Sequence, residues 1–185
     1  MKRSSWLFAL LSAFPLLLLA SAPARAADPA HAFVGADKCK LCHNSAAKGA
    51  QYTKWAESKH AKAYATLATE EAKKTGAAKG IADPQKAPEC LKCHVAGYGA
   101  PAAKLTEKYK IEDSVSCEAC HGPGGDYQKI DVMKDRAKAL AAGLIIPDEK
   151  VCRSCHNQES PFYKEFDFNT FAAKIAHPNP QKAAK

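Results

Sequence analysis

Four times in 185 residues the chain sets two cysteines three positions apart with a histidine directly behind the second. The stretches are CKLCH (Cys39, Cys42, His43), CLKCH (Cys90, Cys93, His94), CEACH (Cys117, Cys120, His121) and CRSCH (Cys152, Cys155, His156), and they use all eight cysteines. Two thiols at this spacing reach the two vinyl groups on one edge of a haem and form thioethers. The next residue then lies under the ring, where its imidazole binds iron as the proximal ligand. Disulfides would suit an exported chain, and the 23 residues between Cys93 and Cys117 approach zinc-ribbon spacing. Neither explains the histidines: with 7 in 185 residues, chance would place one behind every pair with a probability of roughly two in a million.

Four covalently bound haem c groups also explain a thin apolar inventory. Beyond the N-terminal segment Leu, Ile, Val and Phe are few, and alanine supplies much of the nominal hydrophobicity. Large, flat, apolar macrocycles fill the centre and the polypeptide becomes their jacket. The expected fold is mainly α with extensive irregular loops and little or no β-sheet, a compact multihaem cytochrome c fold.

The first 26 residues read as a cleaved secretory signal peptide. Lys2 and Arg3 precede an apolar run from Trp6 to Ala20, followed by the small-residue site Ala24-Arg25-Ala26. That run is interrupted by Ser12 and Pro15 and falls short of the roughly 18 residues of a spanning helix. Residues 27–185 are expected to form a single tetrahaem domain, periplasmic or at the cell surface, with no membrane anchor after cleavage. Of 27 basic residues Lys2, Arg3 and Arg25 leave with the leader, so 24 face 19 acidic ones. The lysines are scattered and form no block, which argues against a nucleic-acid partner, and the haem propionates offset the surplus.

Only His31, His60 and His177 lie outside the motifs, so three histidines face four distal positions and at least one iron is capped otherwise or left open. In AKGAQYTKWAESKHAKAYATLA, residues Tyr52, Trp55, Ala56, His60, Ala63, Tyr64 and Leu67 recur at helical intervals and place His60 on the inward face of one long helix. His177 follows a second stripe, Phe168, Phe171 and Ile175, which Pro178 ends. His31 lies near the start of the mature chain. Met133, the only methionine besides Met1, falls in a helix expected from Asp131 to about Gly143, sharing a face with Ala137 and Leu140. Packing is its ordinary use, and iron ligation the alternative.

Between the motifs, EEAKKTGAAKGIADPQKAPE reads as a helix fraying into a loop, residues 93–117 as mostly irregular, and GPGG after His121 as a turn.

FVGADKCKLCH, WAESKHAKA, CLKCHVAGYG and CEACHGPGG, in this order and followed by CRSCH and His177, resemble the tetrahaem cytochrome c-554 family across nearly all of the mature chain. The resemblance implies that His60 caps the third haem, on His121, that His177 caps the fourth, on His156, and that the second, on His94, is five-coordinate. In that family the first haem takes a histidine from shortly after the third motif. Here GPGGDYQKIDVMKD has none, so His31 or Met133 stands in. The chain is also similar to small tetrahaem cytochromes of metal-reducing bacteria, some of whose relatives polymerise into extracellular filaments.

Electron transfer between other redox proteins, donor and acceptor, is the expected function, rather than that of a dedicated enzyme. One rival is reduction of a nitrogen oxide such as nitric oxide at the open iron, and another is a conductive filament subunit. Neither a proximal lysine nor a clear set of acid and base groups supports the enzyme.

Overall fold

A computed structural model of the chain describes residues 31–183, so the expected signal peptide lies outside the described residues. Helix α1 (Ala36–His43) carries the first motif and ends on its histidine. After a 3₁₀ turn at Ala46–Lys48 come α2 (Gln51–Glu57), a second 3₁₀ turn at His60–Lys62 and α3 (Ala63–Thr66). Thr69 opens α4 (Glu70–Ala77) by accepting the Ala72 amide, and Pro88 takes the first position of α5 (Pro88–His94), the second motif. The 3₁₀ turns Ala102–Lys104 and Ile111–Asp113 interrupt the irregular stretch before α6 (Cys117–His121), the third motif. Then follow α7 (Ile130–Met133), α8 (Arg136–Ala141), α9 (Glu149–Arg153), α10 (Phe168–Ile175) and α11 (Pro180–Ala183). Among the described residues the only β-pairing is a single bridge, Phe33 with Leu105. The fold is mainly α with extensive loops, as the sequence leads one to expect.

Two expected helices are broken. Residues 51–67 do not form one rod: Ser58 turns extended, with ψ 164°. The turn that follows bonds elsewhere, His60 carbonyl accepting the Val115 amide at 3.2 Å and Ser114 Oγ accepting the Tyr64 amide at 3.1 Å. Tertiary partners thus replace helical ones and override the periodicity. The helix expected over Asp131–Gly143 is divided at Asp135, whose carboxylate accepts the Ala137 and Lys138 amides and starts α8 afresh. Met133 therefore closes one short helix, and Leu140 belongs to the next.

The polypeptide's own apolar centre is small: Leu67, Leu91 and Val95 cluster with Tyr64, Cys90, Tyr109 and Ile111 around them. A polar knot lies beside it. Glu118, 3% exposed on α6, accepts the amides of Val34 at 2.8 Å, Gly35 at 2.9 Å and Gly124 at 2.7 Å. It ties the N-terminal arm and the GPGG turn to the third motif. Burial pushes its carboxyl above the ordinary range, while these amides pull it back. Among the described residues no helix is long and apolar enough to cross a membrane.

Candidate haem centres

Residues i, i+3 and i+4 share one face of a helix. In the first three motifs one helical turn therefore sets two thiols and an imidazole on the same side. α1, α5 and α6 each end on the motif histidine. In the fourth motif α9 stops at Arg153 and leaves Cys155 and His156 in the turn beyond. All eight cysteines are free of disulfides. The first motif adjoins the third, α1 packing on α6, and the second lies beside the stretch after the fourth, where Lys92 pairs with Glu159. The neighbouring thiols across these seams, Cys117 beside Cys39 and Cys155 beside Cys93, divide in acidity: Cys117 falls below the ordinary thiol range and Cys155 to about 6, while Cys39 and Cys93 are pushed up. Cys93 does not meet Cys117 in a ribbon. Among the described residues no group of three or more His, Cys, Asp or Glu gathers around a metal-sized site.

Two imidazole pairs stand out. The rings of His60 and His156 lie 5.9 Å apart at 77° between planes, and those of His121 and His177 lie 6.1 Å apart at 73°. Iron bound to one nitrogen of each ring at about 2 Å would set two ring centres about 6 Å apart, so both pairs fit a haem iron held between them. The partners are the reverse of those the resemblance implies: His60 faces the fourth motif and His177 the third. The path of the chain's end gives the reason for His177. α11 lies against Ala46–Lys48, just past the first motif, and a Cβ on Gly49 would stand 2.4 Å from the Pro178 carbonyl. This docking brings His177 to the side where the first and third motifs meet.

Several rings are oriented through Nδ1, which leaves Nε2 for iron. His121 bonds the Ile145 carbonyl at 3.2 Å, His177 that of Ile175 at 2.8 Å, and His94 that of Ala63 at 2.6 Å. His156 is held differently, its ring stacked on Phe166 at 4.8 Å and 12°. It opens on a cavity of about 210 Å³ lined by Cys155, Phe162, Tyr163, Phe166 and Phe171. Phe162 is 57% exposed and Phe171 41%, an apolar wall suited to a macrocycle's face. Burial pushes His60, His121 and His156 below the usual imidazole range, which favours the neutral ring that binds metal.

The remaining expected ligands are placed less symmetrically. His94 has no second imidazole across from it among the described residues. His31 Nδ1 stands 2.5 Å from Asp126 Oδ2, and Met133 is half-buried at the end of α7. Sequence reasoning missed Glu118, Asp126 and Phe166. No local pattern marks a glutamate inside a haem motif for burial, and the aspartate and phenylalanine acquire their roles only from distant chain.

The family described as cytochrome c554 and c-prime matches residues 38–122. The chain is 34% identical over 162 residues to cytochrome c-554 of Nitrosomonas europaea, covering 79% of this chain and 66% of that protein's length. The solved structure of the reduced state of cytochrome c554 from Nitrosomonas europaea matches with a TM-score of 0.51 and 26% identity, over 84% of this chain and 82% of that one. With haem motifs and overall fold in agreement, this chain belongs to the cytochrome c-554 family of c-type cytochromes, whose members hold haem covalently.

Proposed function

We propose that residues 27–185 form one exported domain that carries electrons between redox proteins on four haem c groups. The observation that carries this reading is the pair of facing imidazole couples, His60 with His156 and His121 with His177, each at a spacing that fits one iron. The cysteines of the four motifs anchor the haems, and His43, His94, His121 and His156 take the proximal positions. His60 and His177 supply distal ligands to the fourth and third. When bound, haem supplies the one-electron chemistry and, in neighbouring copies, a path for the electron.

The chain's own part is orientation. Carbonyls of Ala63, Ile145 and Ile175 fix three rings, and the packing of α1 on α6 and the Lys92–Glu159 pair bring the anchor points of separate haems together. Removal of residues 1–26 delivers the protein to the periplasm or the cell surface. Scattered lysines suit small, transient, charge-guided contacts with donor and acceptor proteins.

The mass of the denatured holoprotein tests the cofactor count, with four haem increments over residues 27–185 expected and fewer counting against the reading. Stopped-flow oxidation by a partner cytochrome tests the role; failure to pass electrons at any ionic strength would sink it. His94, with no facing imidazole, favours a second reading in which a small nitrogen oxide is reduced at that haem. Reoxidation of the reduced protein by nitric oxide checks it.

A further inference from the structure

Facing rings account for His60 and His177, so of the three histidines outside the motifs His31 remains. Its ring is half-buried, 27% exposed, and its Nδ1 donates to Asp126 Oδ2 at 2.5 Å. A carboxylate on Nδ1 is the usual outer partner of a metal-bound histidine, because it fixes the tautomer, aims Nε2 and makes the ring a stronger donor. The segment is built into the fold. Ala32 carbonyl accepts the Gly125 amide at 2.8 Å, and Phe33 exchanges bonds with Lys104 at 2.7 Å and Thr106 at 3.0 Å. The next two amides, of Val34 and Gly35, go to Glu118. Gly143 allows the ring to lie close against the backbone, since a Cβ there would stand 2.5 Å from Cδ2 and 2.7 Å from Nε2 of His31.

The surroundings select the first motif over the second. Asp126 precedes Tyr127, which is 5% exposed and donates its hydroxyl to the Gly122 carbonyl at 2.6 Å, at the end of α6. α6 packs on α1, the helix of Cys39, Cys42 and His43, which the arm of His31 enters directly at Ala36. The second motif lies elsewhere, with His94 on Ala63, Cys93 on Cys155, and Leu91 in the Leu67–Val95 cluster.

We propose that His31 is the distal ligand, through Nε2, of the iron held by Cys39, Cys42 and His43, and that Asp126 is the positioning residue that orients it. This rests on the four-haem reading above. The mass measurement tests that reading separately, because fewer than four haems would refute it without reference to His31.

Electron paramagnetic resonance of the oxidised holoprotein, with redox titration, tests the assignment. The unaltered protein should show about one iron in four high-spin, and His31→Ala about two in four. His31→Met should place sulfur on the same iron, producing a thioether charge-transfer band and raising one reductive step. Asp126→Asn should keep that iron low-spin but shift its g values and raise one step alone, and Asp126→Glu should restore both. A His31→Ala spectrum with an unchanged high-spin fraction overturns the proposal. So does His31→Met without the new band, or an Asp126→Asn variant identical to the parent in spectrum and potential. If Met133→Ala, and not His31→Ala, opens the iron, the ligand is Met133 and the proposal falls.

Discussion

The third and fourth motifs present a histidine to a partner ring at nearly the same spacing, 6.1 Å and 5.9 Å, yet they hold it by different means. In the third, both imidazoles donate Nδ1 to backbone carbonyls, His121 to Ile145 and His177 to Ile175. In the fourth, His156 lies flat on Phe166, which stacks on Phe171 at 5.3 Å, and Arg153 and Lys174 place cations over these rings. The residue after the first cysteine follows the same division. In the third motif it is Glu118, buried and accepting backbone amides. In the fourth it is Arg153, exposed and paired with Glu149. In the four-haem reading proposed above, Cys-x-x-Cys-His fixes what touches the iron, while its middle positions and distant chain decide what stands behind the ligand. A hydrogen-bonded imidazole is the stronger donor and favours the oxidised metal. The third haem should therefore have a lower potential than the fourth.

The largest test of the contrast removes a ligand. His177→Ala should open the iron on His121, and His60→Ala the iron on His156, each adding about one high-spin iron in four. Proton resonances of the haem in contact with Phe166 identify the fourth site. If they respond to His177→Ala instead, the pairing is wrong. Next in size is Glu118→Ala, which leaves three backbone amides without their acceptor and should cost about 3 kcal/mol. Arg153→Ala, at the same motif position, loses an exposed ion pair and one bond to the Phe166 carbonyl and should lower the unfolding midpoint far less. Equal midpoints for the two variants in denaturant titration would erase the distinction.

Gly122→Ala comes third. Gly122 ends α6 at φ 77° and ψ 168°, a region nearly restricted to glycine, and a Cβ would stand 2.8 Å from the Gly143 carbonyl. The strain of about 2 kcal/mol should push residues 143–145 away from His121 and weaken the bond to Ile145. The third haem's potential should then rise while the fourth's holds. A uniform shift of every step would mean that the carbonyl has no specific effect.

What the sequence made legible follows the range of each interaction. Thioether spacing is complete within five residues, so the proposed anchors and proximal ligands come from the motifs alone, and the short α10 before His177 follows from its own apolar stripe and the Asp167 cap. The break at Ser58 could not be read, because it depends on Val115 and Ser114, about fifty residues away. Which rings face each other could not be read for the same reason. His60 is anchored beside the approach to the third motif, where Trp55 Nε1 donates to the Val115 carbonyl at 2.9 Å, yet its ring faces the fourth. Order along the chain says which residues are near neighbours, and a ring can point away from them.

The smallest effect is the most selective test of the stack. Phe166 is 7% exposed, and Phe166→Leu keeps most of its volume while removing the flat face against His156. The loss should be about 1 kcal/mol, less than that of either Glu118→Ala or Gly122→Ala. The Phe166 carbonyl still accepts Arg153 Nη2, so the segment should stay in place. With the stack gone, His156 can turn about its bond to iron, which changes the angle between its plane and that of His60. The g values of one low-spin haem should move while the carbonyl-held pair keeps its spectrum. If the spectrum stays fixed through Phe166→Leu, the cavity walls orient His156 and the two sites differ only in what stabilises the fold around them.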